Sequence, residues 1–110
     1  MRQKEIWFAN LDPTKGSEQA GYRPVVILSG NLLNKYLQIV IVAPLTTKIK
    51  NYKGNPILEP NFKNGLTKVS EILVFHIRSI SKDRLVSKIG EIDEAEMDLA
   101  TKTLNEIIKF

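Results

Sequence analysis

The sequence predicts a mainly β fold: a small antiparallel barrel or coiled sheet, with one helix at the C-terminal end packed over it. Short apolar and β-branched runs follow one another up to about residue 92, closed off by Gly, Pro and Asn. Their close spacing favours a barrel over a parallel sheet, which needs crossover helices between its strands. From Asp93 onward the pattern becomes helical. At 110 residues the chain is read as a single domain, 1–110, long enough for one ordinary core.

Each element follows from its residues. "EIWFANL" (5–11) is rich in aromatic and apolar side chains and reads as the first strand. Asp12-Pro13 opens a loop that runs to Arg23. "PVVILS" (24–29) is a continuous apolar run, as expected of a strand buried on both faces. "GNLLNKY" (30–36) reads as a turn holding one helical turn at most. "QIVIVAPL" (38–45) is the clearest strand, and Pro44 is expected to end it or to mark an edge, because proline brings no amide to a ladder. "TTKIKNYKGN" (46–55) is loop, and "PILEP" (56–60) contains a short strand. After the Asn64-Gly65 turn signal, "TKVSEILVFHIRSI" (67–80) reads as one long or bent strand and "KIGEI" (88–92) as a last short one. Asp93 with Glu96 three residues later has the form of a capping box. Met97, Ala100, Leu104, Ile107 and Ile108 then fall on one helix face.

Composition narrows the function. With 43% hydrophobic and 25% charged residues the chain is in the globular range. No apolar stretch approaches the ~20 residues that span a bilayer. The opening "MRQKEIWFANLDP" carries charge but no apolar signal-peptide core, so a cytoplasmic protein without membrane association is expected. The absence of cysteine excludes disulfides, cysteine–zinc sites and thiol nucleophiles. The net charge of +4 is unevenly spread: residues 44–68 hold five lysines and one glutamate, residues 91–110 six acids and two lysines. A lysine-bearing middle suits a polyanion and an acidic tail faces solvent, although an ordinary solvated surface accounts for the lysines equally well.

Most catalytic chemistry is missing. His76, the one histidine, sits in "ILVFHIRSI" and is read first as a packed or interface residue, second as a ligand or catalytic group. There is no HExxH, phosphate-binding loop, dinucleotide fingerprint or nucleophile elbow. Asp93, Glu94, Glu96 and Asp98 suit the start of a helix, where the macrodipole favours acids. No metal and no cofactor are expected. Polar chemistry remains in three places: the Gly16–Arg23 loop, the Thr46-Thr47-Lys48 step and Ser70-Glu71. An arginine at a strand mouth can hold a phosphate through two hydrogen bonds, and threonine hydroxyls can add to them. Each feature alone is explained by a turn or loop. Together, in a chain short of other catalytic groups, they point to an oxyanion or phosphodiester site.

At these residues the sequence resembles a known family. "FANLDPTKGSEQAGYRPVVILSG" is similar to the amino-terminal signature of the MazF/PemK toxins, the endoribonucleases of bacterial toxin–antitoxin systems. "IVIVAPLTTKIKNYKGNPI" resembles their second block, and "GLTKVSEILVFHIRSISKDRL" with "IGEI" and a terminal helix the third. The resemblance covers almost the whole chain in the family's order. It implies an SH3-like or coiled small β-barrel of the CcdB/PemK plasmid-toxin type, a homodimer, and metal-free, sequence-specific cleavage of single-stranded RNA. It also implies a cognate antitoxin, commonly with an acidic tail that folds across the toxin's groove. By motif, Arg23 takes the family's catalytic arginine position and Thr46 its catalytic threonine position. Ser17, Glu18 and Gln19 fall in its substrate loop, Thr47 and Lys48 where RNA contacts continue, and Ser70 at the polar opening of the third block. Where this chain has Phe75-His76, some relatives carry an acidic or glutamine-rich segment.

Metal-free RNA cleavage needs the ribose 2′-OH deprotonated, in-line attack on phosphorus and charge relief on the phosphoryl oxygens, giving a 2′,3′-cyclic phosphate and a 5′-OH. Arg23 and Thr46 suit the charge relief. A guanidinium, with a pKa above ~12, is a costly base, so Glu18 is assigned that role. Tyr22 and Tyr52, read as loop residues, are available to stack bases, whereas Trp7 in a strand is read as core. Lys48, Lys50 and Lys53 would attract backbone phosphates. "ILVFHIRSI" and the apolar helix face are the expected dimer surfaces. Two other classes stay open: a CcdB-type gyrase poison, which shares the fold but has no need of the Arg23–Thr46 pair, and a non-catalytic SH3-like nucleic-acid-binding module.

Overall fold

A computed structural model describes residues 1–11 and 21–109. Among them are β1 (Glu5–Asn10), β2 (Tyr22–Ile27), α1 (Asn31–Tyr36), β3 (Ile39–Thr46), β4 (Ile57–Leu58), β5 (Ser70–Ile72), β6 (Arg78–Ser81), β7 (Leu85–Glu91) and α2 (Glu94–Ile108), with 3-10 turns at Val74–His76 and Lys82–Arg84. Every strand pair is antiparallel. The neighbour order is β4-β5-β3-β2-β1-β7, with β6 also joined to β3. The sheet curls into a half-barrel that α2 caps, as the sequence predicts.

The uninterrupted apolar strands are explained by two cores, one on each side of the sheet. Val25, Val26 and Ile27 are all fully buried. Val26 joins Ala43, Leu45, Leu58 and Ile72 beneath Met97 and Ala100 of α2. Val25 and Ile27 join Val40, Val42, Ile80 and Leu85 on the other side. Successive strand residues point to opposite faces, so a strand with both faces covered must be apolar at every step.

Four boundaries differ from the sequence reading, each for a physical reason. β2 begins at Tyr22, because pairing of Tyr22 with Asn10 and Arg23 with Ala9 carries the ladder past the apolar run. Arg23 is therefore a strand residue and not the end of a loop. Pro44 lies inside β3, at the point where its partner changes from β6 (opposite Ile39–Val42) to β5 (opposite Leu45 and Thr46). "TKVSEILVFHIRSI" is two strands, β5 and β6, separated by the 3-10 turn. The turn lets Ile72 and Val74 enter the first core while Ile80 enters the second. Finally, α1 is a true helix that is turned inside out: Asn34 is its buried residue, while Leu32, Leu33 and Tyr36 are exposed. The Asn34 side chain bonds to the carbonyl and hydroxyl of Ser29, which fixes it inward.

α2 starts where expected. Asp93 accepts the Glu96 amide at 2.7 Å, and the Glu96 side chain accepts the Asp93 amide at 2.9 Å. Its apolar face is occupied within the protomer's own core at Met97 and Ala100, and Ile107 and Ile108 at the far end are exposed. Among the described residues no helix is long and apolar enough to cross a membrane.

Candidate functional site

One surface pocket gathers most of the residues that the sequence singles out. It is lined by Tyr22, Arg23 and Pro24 from β2 and by Leu45 and Thr46 from β3, then by Thr47, Lys48 and Ser70. The β2–β3 register pairs Val26 with Ala43 and Val25 with Pro44, and beyond the end of this ladder Arg23 and Thr46 line the same pocket. The antiparallel pairing of β2 with β3 thus brings two groups 23 positions apart in the sequence to one pocket.

The groups are prepared differently. Arg23 is exposed, and its side chain makes no hydrogen bond or ion pair with another described residue. Oγ1 of Thr46 accepts the Lys48 amide at 3.1 Å, which leaves its hydroxyl proton to give. Ser70 is buried and donates to the Lys68 carbonyl at 3.0 Å, so towards the pocket it can only accept. The Tyr22 ring stacks on Phe8 with centroids 5.8 Å apart; it is a strand residue with one face covered, not a loop residue. Lys48 lines the pocket, Lys50 and Lys68 are close to it in the chain, and none of the three forms an ion pair with a described acid, so this edge is positively charged.

Other expectations land elsewhere. Ser17, Glu18 and Gln19 lie outside the described residues. Lys50 and Tyr52 are exposed on the segment leaving the pocket but do not line it. Trp7 packs half-buried against the second core and donates to Glu5 Oε1 at 2.8 Å, as its reading as core requires. His76 is not packed in a strand: it is exposed in the 3-10 turn, its ring 4.8 Å from that of Phe75, which in turn meets Tyr52 at 5.3 Å. Within "ILVFHIRSI", Ile72, Val74 and Ile80 are buried in the protomer, while Phe75, His76, Arg78 and Ser79 are exposed.

One residue of the site is visible in the sequence only as half of a polar pair. Glu71 is fully buried, and its carboxylate accepts the amides of Lys50 (2.7 Å), Asn51 (2.8 Å) and Tyr52 (3.0 Å) and Nδ2 of Asn55 (2.9 Å). Burial pushes its pKa up, but the bonds from Asn55 and the three amides outweigh burial and hold it below the usual carboxylate value. The available signal was a charged residue in the apolar run "SEILV", which must find donors if it is buried. Among the described residues no three of His, Asp and Glu gather closely enough to share a metal ion.

Comparison with known proteins gives consistent matches. Residues 2–108 match the family described as PemK-like, MazF-like toxin of type II toxin–antitoxin system. The chain is 35% identical over 105 residues to Endoribonuclease EndoA of Bacillus subtilis, covering 94% of this chain and 90% of that protein. It is 40% identical over 98 residues to Endoribonuclease MazF of Staphylococcus saprophyticus, covering 88% and 82%. Its fold is similar to a crystal structure of MazE-MazF from Deinococcus radiodurans, with a TM-score of 0.82 at 24% identity over 98% of this chain and 95% of that one.

Proposed function

This chain belongs to the PemK-like, MazF-like toxin family of type II toxin–antitoxin systems, and on that premise we propose that it is an endoribonuclease toxin cleaving single-stranded RNA. The observation that carries the reading is the pocket to which the adjacent strands β2 and β3 bring Arg23 and Thr46 together. Arg23 spans two phosphoryl oxygens and Thr46 donates to one, a donor array set for charge that grows as the 2′-OH attacks phosphorus. The products are a 2′,3′-cyclic phosphate and a 5′-OH. The pocket's walls, Pro24 and Leu45, are strand residues fixed by the ladders, which holds these donors in place. Glu18, assigned from the sequence, takes the 2′-OH proton. Thr47 and Lys48 flank the phosphate and Ser70 meets an RNA donor as an acceptor, while Lys50, Tyr52 and Tyr22 meet the strand beyond it; Ser17 and Gln19 are assigned to RNA contact from the sequence.

A cognate antitoxin neutralises the protein by covering the same positively charged edge. The relatives named above are an endoribonuclease each, and the Deinococcus structure is of a MazE-MazF pair. The protein works in the cytoplasm, as a homodimer joined through the apolar face of α1.

The test is incubation of purified protein with a long single-stranded RNA in EDTA. Discrete cleavage is expected, falling on the order of a hundred- to a thousand-fold in Arg23→Ala, the usual cost of one transition-state donor. Intact RNA with retarded migration would instead favour a binding module, and intact, unbound RNA from a protein that arrests growth a gyrase poison. Glu18→Gln, measured separately, should lose about 10²–10⁴-fold; near wild-type cleavage would remove Glu18 from the mechanism.

A further inference from the structure

Glu71 is a buried carboxylate that this chemistry does not use. No described cation pairs with it, and four donors converge on its two oxygens. Three of them are successive amides, with Asn51 between the others in the left-handed region at φ 54. Such converging amides form a concavity that takes up anions, and here the chain's own carboxylate fills it. Burying an ion is unfavourable unless something needs it.

The segment it holds explains the need. Lys48, Ile49, Lys50, Asn51 and Tyr52 are all exposed, so no core packing fixes them. One end is tied to the pocket, where the Lys48 amide bonds Thr46 Oγ1. Three of the next amides are tied to Glu71, which is the register partner of Thr46 and the neighbour of Ser70. At the far end the Tyr52 ring rests edge-on against Phe75. The carboxylate therefore sets where two lysines and an aromatic ring stand relative to the pocket.

We propose that Glu71 is a positioning residue whose carboxylate fixes the Lys48–Tyr52 segment beside Thr46, so that Lys48, Lys50 and Tyr52 meet the RNA strand leaving the pocket. The proposal rests on the RNA-cleaving reading above. Binding is measured with an RNA carrying a 2′-deoxynucleotide at the mapped cut position, and cleavage with the unmodified RNA. In Glu71→Gln a carboxamide NH2, itself a donor, faces donors that need an acceptor, and the segment is released. The expected result is a Kd about ten-fold higher and a salt dependence shallower by about 0.7 for each phosphate that the released lysines no longer neutralise. KM should rise by a similar factor with kcat nearly unchanged, because Arg23 and Thr46 stay in place. A folded Glu71→Gln protein with wild-type Kd and salt dependence overturns the proposal.

Should that variant not fold, the wild-type protein carries the test through amide exchange and NMR. The Lys50, Asn51 and Tyr52 amides should be protected in the free protein despite their exposed side chains, and RNA should shift the signals of 48–52. Free exchange at these amides, or signals indifferent to RNA, overturns the proposal. Wild-type protein that neither binds nor cuts RNA overturns the nuclease reading, a result distinct from cutting that ignores Glu71.

Discussion

Glu5 and Glu71 are both carboxylates drawn into the protein, and each is matched by donors in its own way. Glu5 takes the Arg2 amide, Nε1 of Trp7 and the ammonium of Lys88 at 3.3 Å, and so ties the N-terminal segment to β7. Glu71 takes amides and an asparagine but, among the described residues, no cation. In both cases burial raises the pKa and the donors more than reverse it, so the folded value lies below the unfolded one. A carboxyl shifted in this direction stabilises the fold above the ordinary carboxylate range, and that stability is lost as pH falls through the lowered value. Thermal unfolding should therefore show a constant midpoint near neutrality and a decline below about pH 4. Glu71→Gln should cost about 1–3 kcal/mol at pH 7, from buried donors left facing a carboxamide NH2. Its deficit should shrink as the pH drops, with Glu5 still supplying an acid-sensitive slope. A deficit that stays constant down to the acid limb would mean the Glu71 charge contributes nothing.

Elements show which parts of the fold can be read from local pattern. β2, β3 and α2 were legible because each is dictated by its own residues: apolar at every step where two cores meet, or capped by Asp93 and Glu96. Arg23 and Thr46 were legible as a pair only through motif, since the strand pairing that brings them to one pocket is a property of the ladder. The break between β5 and β6 and the inverted α1 were not legible, because long-range packing decides both. The turn at Asn61–Gly65 shows the same limit. Asn64 is buried, accepts the amides of Asn61 and Leu66 at 3.0 Å and donates to the Glu59 carbonyl at 2.8 Å. Asn64-Gly65 signals the turn, yet nothing nearby in sequence signals its support, which is β7. The Glu91 amide bonds the Lys63 carbonyl at 3.0 Å, and the Asn64 backbone lies where a side chain at Gly90 would go. Gly90→Ala puts a methyl against backbone on a paired strand, where neither side can give. Chemical denaturation should find it destabilised by at least ~1–3 kcal/mol, the usual cost of overpacking. A neutral result would show that the turn does not dock on β7.

At the scale of the molecule, α1 leaves something unsatisfied in a single copy. A short surface helix normally buries its leucines and exposes its asparagines, and this one does the reverse. Leu32 is 73% exposed and Tyr36 69%, and Leu33, Leu37 and Ile39 extend the same apolar stretch. The arrangement is not slack: Asn34 is anchored on Ser29, and the Lys82 ammonium donates to the Asn34 carbonyl from the turn after β6. The fold thus uses polar bonds to hold an apolar face in water, where each Å² costs about 25 cal/mol. A matching face on a second copy removes that cost, and symmetric pairing lets one patch serve both sides. The elements that the sequence suggests for such an interface offer less apolar surface, because Met97 and Ala100 of α2 and Ile72, Val74 and Ile80 are already buried within the protomer. Sedimentation of the wild-type protein should show a dimer. Leu32→Lys with Tyr36→Lys should weaken it on the order of a hundred-fold or more, each removing an exposed apolar anchor, with the circular dichroism unchanged because neither side chain touches the core. A wild-type monomer at tens of micromolar, or a dimer indifferent to both lysines, would put the interface elsewhere and leave the inversion of α1 unexplained.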